Sequence, residues 1–503
     1  VKALFPLLVL PAVLAIPPLS AQGQSSFTQP SRSIPMVPIS DQLQALEKRW
    51  RSVCSDLDGK QKISLQEALR LGLTNNPILS QNYAEIAASQ SSTTAIRREW
   101  YPSLFFTQPN NAPWDLAIGT QTNNQSGSNS ATTHQTLQQL YSSPRLTMQW
   151  SFLDPTRTPR LKSQLLEYRS KQLLFDISTR NLVLDIQQSY YALQEASELR
   201  NLYGEIYQLT KDQLTRAERM RPEVIDTSGE ISQLKTQLLQ QLIEVIQIFQ
   251  QELIAANSLA RVLSLAPGEL RLPSDPLKPV DPWTPSLQST ISNALLTREE
   301  IQNNLANSSS LSWSSKALAQ SYLPSMALMG QSQLTTNNQS QTSSGSESSS
   351  GSSNNQTFSN SVGLKFNWLI VDGGVVASQA TSLSQRAQAA DYQAADTRYL
   401  VTQQVQDSYA NYITTRMVID TALQQLRTAK QAVLLTSRNY NGTSVNATTF
   451  NQTIRNFLSA AKSFKASVRG FNIAVASLFR YSSSLPPSVQ DSLDKAKMNL
   501  ISP

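Results

Sequence analysis

The sequence predicts a mainly α-helical protein with a small amount of membrane β-structure, built from long coiled-coil helices and four amphipathic strands. Three observations predict it. Segments recur at a period near 220 residues, two stretches of more than sixty residues read as helix, and short segments alternate apolar and polar residues in strict period two.

The repeat organises the chain. Ser64-Leu65-Gln66 returns as Ser286-Leu287-Gln288 and Pro102-Ser103 as Pro324-Ser325, both at an offset of 222 residues. Leu146, Trp150 and Asp154 match Leu364, Trp368 and Asp372 at an offset of 218, and Ile186-Gln187-Gln188-Ser189-Tyr190 matches Val405-Gln406-Asp407-Ser408-Tyr409 at 219. Each half reads as helix, strand, polar loop, strand, very long helix, turn, helix. The predicted plan is a signal peptide (1–23), a Pro/Ser-rich extension (24–62), a first repeat (63–266), a linker (267–285), a second repeat (286–481) and a tail (482–503). The linker carries Pro267, Pro273, Pro276, Pro279, Pro282 and Pro285 and is expected to be stiff, extended and without a core of its own.

The helices follow from what is missing. From Val375 to Asn441, 67 residues pass without Gly or Pro, which predicts a helix roughly 100 Å long. Its partner in the first half runs from Pro155 to Arg219. Leu383, Ala387, Ala390, Ala394, Val401, Val405 and Tyr412 take the three-and-four spacing of a coiled-coil seam. Shorter helices are predicted over Ser64–Glu99, Glu223–Leu265, Ser286–Ser321 and Asn446–Tyr481, two stacked end to end beside each long one.

The strands are predicted at Ser103–Ile118, Leu146–Leu153, Ser325–Leu334 and Val362–Val371. Leu146, Met148, Trp150 and Phe152 alternate with Thr147, Gln149 and Ser151, and Leu364, Phe366 and Trp368 alternate with Lys365 and Asn367. Such a strand covers a soluble core or faces lipid on one side and water on the other. The neighbouring Ser/Thr/Asn/Gln tracts, Gly119–Ser143 and Gln331–Ser361, favour the membrane reading, as long outward loops of a barrel. Four strands cannot close a barrel, since the smallest have about eight, so association is required and a trimer with twelve strands is the natural solution.

Only 15% of the residues are charged, against roughly 25% in ordinary soluble domains, and Ser, Thr, Asn and Gln take over the wetting. Lys2 precedes an apolar run, Ala3 to Leu19, broken by Pro6, Pro11, Pro17 and Pro18 and followed by Ala21-Gln22-Gly23, the pattern of a cleaved export signal. The net charge of +7 is spread along helices without aromatic-basic clusters, which argues against nucleic acid. Catalysis lacks material: His134, the one histidine, falls in a predicted loop, Cys54 is the one cysteine, and no metal, cofactor or phosphate-loop motif accompanies them.

Ser64-Leu65-Gln66-Glu67-Ala68-Leu69 leading to Asn75-Asn76-Pro77, then Tyr101-Pro102-Ser103-Leu104, then Phe366-Asn367-Trp368 before Asp372-Gly373-Gly374, and finally Tyr440-Asn441-Gly442-Thr443 resemble, in order and spacing, the TolC family of outer-membrane efflux proteins. The resemblance implies a homotrimer with one twelve-stranded barrel in outer-membrane lipid and a helical tunnel through the periplasm. It further implies a passive exit duct for efflux or type I secretion, fed by a periplasmic adaptor (membrane fusion) protein and an inner-membrane transporter. Adaptor-facing tips then fall at Arg219, Arg221, Pro222 and Glu223 and at Tyr440, Asn441, Gly442 and Thr443. The family's acidic aperture positions fall on Thr448 and Asn451, neither of which ionises. The lipid-facing set is Leu146, Met148, Trp150, Phe152, Leu364, Phe366 and Trp368. The strand-helix junctions are Pro102, Asp154, Pro324, Asp372, Gly373 and Gly374. The competing reading is a surface-exposed structural or adhesive coiled-coil protein, which shares the long helices but predicts no doubled unit with amphipathic strands at matched places.

Overall fold

The computed structural model describes residues 45, 47–50, 59–107, 115–123, 133–220, 228–344, 349–438 and 447–484. The predicted signal peptide, Cys54, Arg221, Pro222, Glu223, Tyr440, Asn441, Gly442 and Thr443 lie outside the described residues. Residues from Lys60 onward form one compact unit. Its first half runs β1 (Lys62–Ile63), α1 (Leu65–Asn75), α2 (Pro77–Arg98), β2 (Ser103–Thr107), β3 (Asp115–Asn123), β4 (Thr133–Ser142), β5 (Arg145–Leu153), α3 (Arg157–Met220) and α4 (Ser228–Val262). A short β6 (Leu272–Pro273) follows, then α5 (Leu287–Thr297), α6 (Glu299–Ala319), β7 (Ser325–Ser344), β8 (Ser349–Asn367), α7 (Val375–Arg438) and α8 (Ala447–Tyr481).

The two Gly- and Pro-poor stretches become helices of 64 residues each, α3 and α7, about 96 Å long at 1.5 Å per residue. The seam of α7 is buried at Ala387, Ala390, Ala394, Val401, Val405 and Tyr412, with Leu383 half-buried. Shorter helices line up along the long ones. Beside α3, α2 is tied on by the Arg160–Glu99 and Lys171–Glu85 ion pairs. Next comes α1, whose Gly72 lies so close to Ile186 that an added Cβ would sit 2.4 Å from its Cδ1. Beyond it α4 packs against α3 through Leu259 and, just past its end, Leu263. Helix α6 lies between α3 and α7, bonded to one through Ser163 and Ser310 and to the other through Asn304 and Thr397.

The first short helix, predicted as unbroken over Ser64–Glu99, is divided at Asn76, whose side chain accepts from the Ile78 N–H while Pro77 opens α2. Proline at a first helical position forgoes a hydrogen bond that the terminus leaves unmade anyway. Its counterpart, predicted over Ser286–Ser321, is divided at Arg298, where ψ is 122° and no proline intervenes. There the side chain compensates: buried Arg298 donates to Glu300 Oε2 (2.8 Å), the Tyr481 carbonyl (3.1 Å) and Gln404 Oε1 (3.0 Å).

The linker is extended without a core of its own, but it is not a free connector: it packs onto the bundle. Leu272 and Leu277 are buried, and β6 pairs parallel with β1. Glu198 of α3 accepts from the Leu277 N–H, Asn472 of α8 bonds both the Val280 N–H and the Lys278 carbonyl, and Tyr412 of α7 donates to the Trp283 carbonyl. Trp283 stands edge-on to Phe479 at 4.9 Å. Proline fixed the backbone as extended, but the apolar residues between the prolines found partners on three helices, so the segment is a strap across the bundle.

The polar tracts are a further correction. They are not loops throughout: Thr133–Ser142, which contains His134, is strand β4, and β7 and β8 form a hairpin of nineteen paired positions reaching to Ser343 and Ser349. Six strand segments make four arms, with β2 and β3 running in turn beside β5 and β4, then β7, then β8. Serine, threonine and asparagine sustain a ladder here because backbone hydrogen bonds, not side-chain burial, hold it together.

Candidate functional site

The register sorts the sheet into two unlike faces, since directly opposed residues of an antiparallel pair point the same way. One face carries the rows Leu104–Met148–Gly330–Val362, Trp150–Leu328–Leu364, Met326–Phe366 and Leu334–Phe358. The other carries Thr107–Arg145–Gln333–Ser359, Ser103–Gln149–Met329–Gly363 and Ala327–Lys365. On the polar face a chain of side chains runs from Arg145 Nε to Gln333 Oε1 (3.2 Å), which also accepts from Gln331, while Gln333 donates to Thr335. Much of the apolar face is left exposed: Trp150 is 40% exposed, Trp368 52%, Phe366 59% and Val362 80%. Leu146, Phe152 and Leu364 are likewise exposed, whereas Met148 is half-buried.

Sheet position was legible from alternation, but part of the apolar face was missed. Leu104 and Phe106 on β2 and Phe358 and Val362 on β8 complete it. Their signal was present as Leu104-Phe105-Phe106 and as the even-numbered positions of β8. Beyond Phe358 the same face turns to Gln356, Asn354 and Ser352, so the apolar band ends within the hairpin and both faces are polar above it.

At the foot of the sheet the junction residues act as caps. Asp372 accepts from the Gly374 and Val376 N–H groups and from the Tyr322 hydroxyl (2.7 Å), closing the turn into α7. The Tyr322 bond, followed by the Val376 N–H, holds its carboxyl below the usual range. Gly373 and Gly374 take φ of 69° and 85°, a region that side chains disfavour. Asp154 does the same for α3, accepting from the Thr156 N–H and hydroxyl. Pro102 is exposed and Pro324 half-buried, each just before a strand.

At the opposite end of the helices Arg219 is exposed, and Thr448 is exposed with its hydroxyl on Gln233 Oε1 (3.2 Å). Asn451 is buried, its Oδ1 without a hydrogen-bond partner in the protein. Among the described residues no His, Cys, Asp and Glu cluster is placed to hold a metal, and no helix is long and apolar enough to cross a membrane.

A helical bundle of this length ending in an open, two-faced sheet is a TolC-like fold. Residues 290–481 match the model of the outer membrane efflux protein family, so the resemblance read from the sequence holds in the second half of the chain as well as in the fold. The CmeC outer membrane channel of Campylobacter jejuni superposes with a TM-score of 0.67 at 14% identity, over 86% of this chain and 89% of that one. The outer membrane protein VceC of Vibrio cholerae gives 0.63 at 13% identity, over 84% and 96%. The open state of the Neisseria gonorrhoeae MtrE outer membrane channel gives 0.60 at 15% identity, over 84% and 89%. No curated protein matches the chain by sequence.

Proposed function

We propose that the chain is one of three identical subunits of a passive outer-membrane channel for efflux or type I secretion, its helices forming a duct through the periplasm. The observation that carries this is the open sheet. Its two edges, β2 with β3 and β8, each have a strand partner on one side only, and its apolar face leaves Leu104, Trp150, Phe358, Val362, Leu364 and Phe366 exposed. Unpaired edges and an uncovered apolar face are both costly in water. Three copies edge to edge give twelve strand arms, within the range of membrane barrels, with the apolar rows toward lipid and the Gln/Thr/Ser face toward a water-filled lumen.

The dimensions fit. From Phe358 to Trp368 the apolar face spans about 35 Å of strand, which at the ~45° tilt of membrane barrels is a band about 25 Å tall. The helices offer matching surfaces: Ile243, Ile246 and Ile254 on α4 and Tyr392, Tyr399 and Met417 on α7 are exposed in the single subunit and suit packing between copies. At the far end, the tips around Arg219–Glu223 and Tyr440–Thr443 are assigned to an adaptor protein that connects to an inner-membrane transporter. Of the two aperture positions, Thr448 is the exposed one.

Insertion into a planar lipid bilayer tests the function. A channel gives discrete current steps, and an adhesive coiled-coil protein without a pore gives none.

A further inference from the structure

The ionisable residues of the sheet are distributed unevenly between its faces. Arg145 and Lys365 both lie on the polar face, in the rows Thr107–Arg145–Gln333–Ser359 and Ala327–Lys365. Lys365 is exposed and makes no ion pair among the described residues, and Arg145 bonds only the neutral Gln333.

Below the strands the same face looks into a cavity of about 920 Å³ that Gln149, Ser151, Asp154, Arg98 and Arg157 help to line. Of its two acids, Glu99 is paired with Arg160, whereas Asp154 meets only the neutral donors of Thr156. Of its cations, Arg157 is only 2% exposed, stacks on Trp100 at 4.8 Å, and leaves Nε and Nη1 without a hydrogen-bond partner in the protein. A second cavity beside it is lined by Lys365, Gln149 and Ser151. With Glu99 paired to Arg160, the described residues of this face and its cavity hold Arg145, Lys365, Arg98 and Arg157 against Asp154, an excess of fixed positive charge in a chain whose net charge is +7.

We infer that the barrel end of the passage prefers anions, with Arg145 and Lys365 as the selectivity-determining residues, and that its favoured cargo carries carboxylate, sulfonate or phosphate groups. The inference rests on the channel reading above. Charged side chains ringing a narrow aqueous path raise the local concentration of the opposite charge, and threefold assembly would repeat each cation three times around the lumen.

Single channels in a planar bilayer under a KCl gradient provide the test, since the reversal potential takes the sign of the preferred ion. Wild type is expected to favour chloride over potassium by about twofold or more. Lys365→Gln, at an exposed residue without an ion pair, should move the reversal potential toward potassium, Arg145→Gln with Lys365→Gln should move it further, and Lys365→Arg should leave it in place. Potassium preference in wild type, or a reversal potential that neither neutralised variant moves, overturns the inference and leaves the channel standing. Absence of current steps defeats the channel reading itself.

Discussion

The indole N–H of Trp368 donates to the backbone carbonyl of Tyr322 at 2.9 Å, at the point where the apolar face of β8 ends and the helices begin. Trp150 makes the equivalent bond to the Trp100 carbonyl at 3.0 Å. Each ring thus has its polar atom fixed at the foot of the sheet and its carbon face exposed beside the apolar rows. This is the arrangement that suits an aromatic belt at a membrane interface. In vesicles containing lipids brominated near the headgroup, tryptophan fluorescence should be quenched, and Trp150→Phe with Trp368→Phe should remove most of the quenchable part. Quenching that survives the double substitution unchanged would place these rings away from lipid.

Glu300 sits between two buried arginines, accepting from Arg298 and Arg480, while Arg180 pairs with Glu299 at 2.8 Å. Burial alone would raise the Glu300 pKa, but the hydrogen bond from Arg298 and the charges of Arg480 and Arg298 outweigh it and hold it at about 2. Glu300→Gln strips the counter-charge from both arginines and should cost about 3 kcal/mol in denaturant titrations. Because the folded pKa lies below the unfolded value of 4.5, this stabilisation is complete above that pH and is lost as pH falls through about 2. The variant's stability should therefore fall less than wild type's over that window.

Asp275 of the strap accepts from the Leu65 N–H and the Tyr190 hydroxyl, both at 3.0 Å, so one carboxylate caps α1 and ties the strap to α3. Asp275→Ala should destabilise the protein by about 1–2 kcal/mol. It should also speed hydrogen exchange at the Leu272 and Ser274 amides, which bond Gln61 and Ile63 across β1 and β6. Tyr190→Phe should do so less, since the Leu65 cap survives.

What was legible in the sequence depended on whether burial left a pattern. The buried seam Ala387, Ala390, Ala394, Val401 and Val405 gave α7, and the alternation around Trp150 and Trp368 gave the strands that face away from the bundle. Gln339, Ser340 and their partners Ser353 and Ser352 continue the hairpin with no apolar side at all, so a tract of this kind is indistinguishable from a loop by periodicity. The break at Arg298 has no proline to announce it. The repeat offset of 222, which carries Asn76 onto Arg298, was the available signal. In the linker, six prolines drew attention from Leu272, Leu277 and Trp283, whose burial and ring packing make it a structural part of the bundle. The tips were placed by resemblance, and most of their residues lie outside the described part of the structure.

The closure of an open sheet by other copies of itself is tested most directly by native mass spectrometry of the detergent-solubilised chain. A closed twelve-arm barrel requires a species of three protomers that persists on dilution. A monodisperse single protomer that keeps its β-sheet signal and stays soluble without detergent would contradict it.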